Sequence, residues 1–374
     1  MRRGTPRKLA LGLATAMGML VLLELGVRLV AGPPHPPMVA SIPDDSEFLV
    51  RDMNVVRAAY QEPELPPFSA TAGDRPRVLW LGGSSVHGAW GMAPERQAAS
   101  VLMGLLDVES INLGSPGIDS THLVELLPQA LTVEPDAIVL YTGHNDFGNA
   151  VFTGAWSERA QLTIALASWA RHSRVFELLS LHLSRPAAVR RVGSNDPVFR
   201  LDDHARDAIR EGLEQRLVWL ARSAREAGVP LILVTPVSNA WAPSVAWSCP
   251  EQIAALGEAA RPKDPRTLPP QALEGDCRDL EWARAVAAGD RDTLDRLRDE
   301  DPLPTRADRA TVDMIRRVAD EEELLLIDAN QSFRERGQGL EPKAWFTDNL
   351  HLNGRGHKAL AELVAPPLED LLWP

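Results

Sequence analysis

The 374-residue chain is predicted to fold as an α/β protein around a five-stranded, largely parallel sheet. Short apolar runs of strand length recur along it, and longer amphipathic stretches separate them, the pattern of strands joined by crossover helices. Composition agrees: hydrophobic residues make up 45% and charged residues 24%, ordinary for a globular protein and unlike a disordered or collagen-like chain.

The first thirty residues form a separate element. Arg2, Arg3, Arg7 and Lys8 precede an apolar run from Leu9 to Leu23, which continues to Val30 with two charges, Glu24 and Arg28. At roughly 1.5 Å per residue, about twenty-two helical residues cross a ~30 Å hydrocarbon core, so the longer stretch is read as a transmembrane helix. Glu24 and Arg28 are spaced i,i+4 and pair on one face near its outer end, where the Arg stem can snorkel. Leu29 stands where a signal-peptidase cut would want a small residue, which favours an uncleaved anchor over a cleaved signal. Residues 31 to 50 carry no Lys or Arg, so the positive-inside asymmetry puts the N-terminus in the cytoplasm and the body in the periplasm or outside the cell.

Residues 31 to 72 contain GPPHPPMVASIP and QEPELPPFSA, proline-rich and poorly helical, and read as a stalk. The main domain is expected over 73–374. Its strands are RVLWLGG (77–83), SINLGS (110–115), AIVLYTG (137–143), PLILVTP (230–236) and LLLIDA (324–329). Helices are expected over Arg96–Leu106, Ser120–Leu131, about His204–Ala227 and Gly354–Val364. Residues 150–203 and 240–322 exceed a short crossover and read as helical insertions. Within the second, periodicity over about 278–322, broken at Gly289 and at Pro302 to Pro304, resembles one tetratricopeptide-type helical hairpin, which would lean on the main domain and offer a surface to a protein partner.

Charge narrows the partners. The chain has 39 Lys+Arg against 51 Asp+Glu, a net of −12, which excludes an electrostatic clamp on nucleic acid. The first thirty residues hold five bases and one acid, so 34 and 50 remain in the body, a net of −16. Two cysteines, Cys249 and Cys277, cannot build a disulfide-dense scaffold or a four-thiolate zinc site. An external location favours one bridge between them over two free thiols. No metal or cofactor is expected, since the histidines lack ligand spacing.

Four short blocks carry the chemistry. GGSSVHG follows the first strand and sets Ser84 at its carboxyl end, where open α/β sheets bind ligands. The GxSxG elbow is absent: neither Ser84 nor Ser85 has glycine on both sides at two residues' distance. Near the C-terminus, DNLH puts Asp348 and His351 three residues apart, so the carboxylate can accept from one ring nitrogen while the other faces a serine. Between them NLGSPG follows the second strand and GHND the third, offering the Gly114 backbone N–H and the Asn145 amide as oxyanion donors. Each block alone is an ordinary turn, loop or helix start. Together, in order and each at a strand end, they make a nucleophile, a base, its orienting acid and donors for a developing oxyanion.

GGSSVHG, NLGSPG, GHND and DNLH resemble the four blocks of the SGNH (GDSL-type) hydrolases over about residues 76–365, interrupted by the insertions. The resemblance implies a three-layer, flavodoxin-like α/β/α sandwich with strand order 2-1-3-4-5. It also implies roles: Ser84 as nucleophile, Asp348 and His351 completing the triad, and the Ser84 N–H, Gly114 and Asn145 as oxyanion hole. One position departs from the pattern, because Gly83 stands where the family has the Asp of its GDS. Ser85 therefore remains an alternative nucleophile. His87, His144 and His357 have no family role and are expected in local packing or at the surface, while Trp241 and Trp247 either wall a substrate cleft or pack in the core. The expected activity is a serine esterase acting on small-molecule, glycan or lipid acyl esters. An O-acyltransferase modifying envelope glycans is the alternative, and an inert envelope scaffold is the reading from another class.

Overall fold

The computed structural model describes residues 5–31, 39–41, 47–50, 68–69, 72–88, 92–153, 175, 201–244, 249, 254–258, 261–301 and 304–374. The chain divides into two compact units, Met1–Pro37 with Ser157–Val192, and Met38–Trp156 with Gly193–Pro374. The first contains helix α1, Thr5–Ala31, in which Arg28 Nε meets Glu24 Oε1 at 2.6 Å as the i,i+4 spacing predicts. The Val175 N–H also donates to Glu24 Oε2 at 3.2 Å. Among the described residues no helix is long and apolar enough to cross a membrane. The side chains of residues 5–14, which open the apolar run of the expected anchor, lie outside the described set.

The second unit is built on the five parallel strands expected from the apolar runs: β1 (Arg77–Gly82), β2 (Glu109–Asn112), β3 (Ala137–Tyr141), β4 (Leu231–Val234) and β5 (Leu325–Ile327). Their spatial order is β5-β4-β3-β1-β2, which is 2-1-3-4-5 read from the other edge. Trp80 of β1 lies opposite Asn112 of β2 and Val139 of β3, so β1 is central and its carboxyl end opens between two neighbours.

Alternation along each strand assigns the two faces. Leu79, Leu81, Ile138, Leu140, Leu231 and Leu233 pack under helices α3 (Ser120–Leu131), α5 (Asp203–Glu226) and α8 (Arg309–Glu321). Val78, Trp80, Val139, Tyr141, Ile232 and Val234 pack under α2 (Ala98–Met103), α9 (Ala329–Arg336) and α10 (Gly354–Leu372). Helix α4 (Asn145–Thr153) follows β3. The only charge buried within β1 is Arg77, fully covered, and its needs are met by Glu109 Oε2 at 2.7 Å and the Val133 carbonyl at 2.6 Å. Helix α10 runs past Pro366 and Pro367, beyond the expected stop at Val364, because Leu360, Val364 and Leu368 keep one buried face across that interruption.

Val39–Ser41, Glu47–Val50 and Phe68–Ser69, in the stretch read as a stalk, pair as a small antiparallel sheet. Phe68 is buried in the same cluster as Leu79 and Leu81. In the second insertion, α6 (Arg278–Ala288) and α7 (Arg291–Asp299) pack on one another through Leu280, Ala283, Leu294 and Leu297, turning at Gly289, whose φ of 68° is left-handed. Cys249 and Cys277 are joined by a disulfide beside this third cluster, with Cα atoms 6.2 Å apart. Helix α8, by contrast, lies on the sheet against α5. The first insertion, 150–203, falls mostly outside the described residues.

Candidate active site

A single helical turn, Ser84–His87, follows β1 directly. As its first residue, Ser84 has an N–H with no partner inside the turn, and its side chain is nearly covered. The Ser84 Oγ lies 2.7 Å from His351 Nε2. On the other side of the ring, His351 Nδ1 lies 2.6 Å from Asp348 Oδ2. The carboxylate can only accept there, so Nδ1 carries the proton and Nε2 is left to accept from the serine hydroxyl. Asp348 Oδ1 accepts the backbone N–H groups of Leu350 at 2.9 Å and His351 at 2.7 Å. Burial works against the Asp348 charge, but the hydrogen bond and charge of His351 and these two N–H groups outweigh it and lower its pKa to about 2. Ser85, the alternative hydroxyl, is buried, and among the described residues its Oγ has no hydrogen-bond partner, the imidazole included.

Asn145 opens α4 at the end of β3 and donates its Nδ2 to the Ile118 carbonyl at 2.7 Å, leaving the second amide hydrogen. The departure at Gly83 has a steric cause here: a Cβ at this position would stand 2.7 Å from Asn145 Nδ2 and 3.0 Å from the Ile118 oxygen. Asn145 thus occupies the space a side chain at residue 83 would need.

Gly114 is a correction. Its N–H donates to Asn112 Oδ1 at 2.8 Å, so the donor expected to face an oxyanion is already engaged. Asn112 also donates Nδ2 to Val86 O at 3.0 Å and Gln97 Oε1 at 2.8 Å, tying the loop after β2 to the Ser84 turn. Gly117, in the same loop, precedes the Ile118 whose carbonyl accepts from Asn145. Its φ of 75° is left-handed, its carbonyl accepts from Asn149 Nδ2 at 2.9 Å, and among the described residues its N–H has no partner. Sequence reading passed over Gly117, although the second glycine of NLGSPG at a turn apex was the signal.

A buried polar network holds this donor side. Asp146 accepts from the Ser120 hydroxyl and lies 3.4 Å from Arg216, while Asn149 bridges to Asp119 at 2.8 Å. Burial and the charge of Asp119 push the Asp146 carboxyl up, against Arg216 and Ser120. Asp119 is held well below the usual range: burial opposes this, but His122, Thr121 and Asn149 prevail.

His144 is buried against Tyr141, with ring centroids 5.3 Å apart, and its Nε2 donates to the Val237 carbonyl at 2.8 Å. Burial lowers its pKa to about 4. His357 accepts from the Ala98 N–H at 3.2 Å, and burial, with the charges of His351 and His87, lowers it to about 3. His87 is also fully buried. None of the three is at the surface. Trp241 lines a cavity of about 250 Å³ with Arg266 and Lys343, whereas Trp247 lies outside the described residues. Among the described residues the one cluster of metal-ligand types, Cys249, Cys277 and Asp279, has both sulfurs in the disulfide.

No family model and no curated protein sequence matches the chain. Solved structures do. A GDSL-like lipase from Bacteroides thetaiotaomicron is 12% identical, with 81% of this chain and 92% of that one covered and a TM-score of 0.42. An α/β hydrolase enzyme from the metagenome of Lake Arreo, Spain, is 16% identical over 81% and 97%, with a TM-score of 0.39. A catalytic mutant of an acetylxylan esterase from Geobacillus stearothermophilus is 14% identical over 81% and 96%, with a TM-score of 0.37. At these identities and TM-scores the likenesses assign no role to any residue of this chain.

Proposed function

We propose that the protein is a serine ester hydrolase working through an acyl-enzyme. The observation that carries this is the unbroken relay from Ser84 Oγ to His351 Nε2 at 2.7 Å and from His351 Nδ1 to Asp348 at 2.6 Å. In the proposed sequence, Oγ attacks the ester carbonyl as Nε2 takes its proton, and the imidazolium returns it to the departing alcohol. The Asp348 charge, kept by its low pKa, stabilises that imidazolium. The Ser84 N–H, the second amide hydrogen of Asn145 and, in place of Gly114, the Gly117 N–H supply the oxyanion donors. Water activated by His351 then releases the acid. No step calls on a cofactor.

The substrate class we propose is an acyl ester of a carbohydrate or lipid, met outside the cytoplasmic membrane. Arg2, Arg3, Arg7 and Lys8 ahead of the apolar run and the absence of Lys and Arg over residues 31–50 support an N-terminal anchor with the catalytic unit on the outer side. The N-terminal mass of the native protein tests whether that segment is retained.

A fluorophosphonate, which phosphonylates an activated serine, tests the chemistry. The full chain should be labelled and Ser84→Ala should not. Equal labelling of Ser84→Ala removes that serine from the mechanism, and an unlabelled wild type leaves an inert scaffold, with the α6–α7 pair as its partner surface. Product analysis with an acyl donor and a glycan acceptor gives free acid for a hydrolase, and acylated glycan for an O-acyltransferase.

A further inference from the structure

We propose that Asn239 is a positioning residue that fixes the Asp348–His351 loop relative to Ser84, and that Arg306 and Asp301 of the second insertion hold Asn239 in place. This rests on the ester-hydrolase reading above. Asn239 lies just beyond β4 and is 6% exposed. Its Nδ2 donates to the Asp348 carbonyl at 2.8 Å, its N–H donates to the Asn349 carbonyl at 2.9 Å, and its Oδ1 accepts from the Trp241 N–H at 3.2 Å. The bonds to the Asp348 carboxylate from Leu350 and His351 are internal to the loop. They shape it but do not locate it against β1. Asn239 does, by tying two consecutive carbonyls of the loop to the segment just beyond β4, a strand of the same sheet.

The anchor is itself fixed from the insertion side. Arg306 Nη1 donates to the Asn239 carbonyl at 3.3 Å and to the Ala242 carbonyl at 2.8 Å, and its Nη2 meets Asp301 Oδ2 at 2.8 Å. Both charges are buried, at 3% and 0% exposed, and the Ser244 hydroxyl satisfies the second Asp301 oxygen at 2.7 Å. A paired and bonded buried charge resists displacement, because moving one partner strands the other. Close by in sequence, Thr305 Oγ1 accepts from Asn349 Nδ2 at 2.6 Å, so Asp301, Thr305 and Arg306 grip both the anchor and the loop it holds. The insertion therefore reaches the triad through three side chains without contributing a reacting atom.

The test compares fluorophosphonate inactivation of wild type, Asn239→Asp and Asn239→Ala, separating the maximal rate from probe affinity across pH. Asn239→Asp keeps the shape and the acceptor for Trp241 but turns an acceptor on the Asp348 carbonyl. Its maximal rate should fall roughly tenfold or more, with affinity changed by no more than about twofold, since small misplacement of a reacting group is costly. Asn239→Ala should fall less, and the acid limb of its rate profile should move to lower pH, because a displaced Asp348 stabilises the imidazolium less. A role confined to folding would lower the unfolding temperature and leave both readouts unchanged. Folded variants reacting at the wild-type rate with an unmoved acid limb overturn the proposal. If neither folds, Thr305→Val, which removes the acceptor for Asn349, must show the same fall or the proposal is lost. A wild type that never reacts fails the ester-hydrolase reading itself, a result distinct from unchanged variants.

Discussion

His144 and His357 should make the protein acid-labile over a defined interval. They are 5% and 1% exposed, and burial lowers their pKa values to about 4 and about 3 from an ordinary 6.5. A depressed folded-state pKa means that the unfolded chain binds the proton first. The stabilising contribution is then complete above pH 6.5 and is lost as pH falls toward those folded values. Between about pH 7 and about pH 5.5 both rings stay neutral when folded, while unfolded rings go from about one-quarter to about nine-tenths protonated. Integrating over that interval gives a loss of ~1.2 kcal/mol for each ring, ~2.5 kcal/mol for the pair. Urea unfolding at the two pH values measures it. His144→Gln can still donate to Val237 and His357→Gln can still accept from Ala98, so each should remove about half of the pH-dependent difference, whatever it does to stability at pH 7. If both variants keep the full wild-type difference, the two rings are not held neutral by burial and the argument fails.

Gly83→Ala would drive a methyl group to 2.7 Å from Asn145 Nδ2, so fluorophosphonate labelling of Ser84 should slow by roughly tenfold or more as the amide is displaced. Labelling at the wild-type rate would show that the amide is not a donor in the reaction. Reducing the Cys249–Cys277 bridge releases a span of 28 residues, for which the chain-entropy relation gives ~3.6 kcal/mol. Unfolding with and without reductant should differ by an amount of that order, and coincident curves would contradict it.

The sheet was legible because β3, β4 and β5 are unbroken apolar runs and β1 is one after Arg77, as a parallel strand covered on both faces requires, while β2, ESIN, has a single apolar residue. RVLWLG is buried at every position. Ser120–Leu131 was equally readable, with Asp119 capping its first turn. That Ser84, His351 and Asp348 could meet followed from their places at strand ends, and the contacts at 2.7 and 2.6 Å join them. Less legible was what depends on backbone direction. Gly114 and Gly117 look alike in the one-letter code, and only the fold shows that Asn112 takes the first N–H while the second, at a left-handed φ, has no partner among the described residues. Proline misled at α10, where local propensity argued for a stop and the buried face of Leu360, Val364 and Leu368 prevailed. Asn239, Arg306 and Asp301 carry no motif, because their contacts span separations of 109 and 67 residues along the chain that no local pattern encodes.

The two ends of the relay, Ser84 and His351, stand 267 residues apart. A ribosome adding ~5–20 residues per second reaches the imidazole roughly 13 to 53 seconds after the hydroxyl. Until then β1 and Ser84 exist without that imidazole, so under the proposed mechanism the nascent polypeptide cannot react with esters however early its first strands pair. A premature stop anywhere before His351, or a protease cut that frees the last helix and the turn ahead of it, should leave a product with the nucleophile intact and no reactivity. Competence is thereby deferred until the segment carrying His351 has been made.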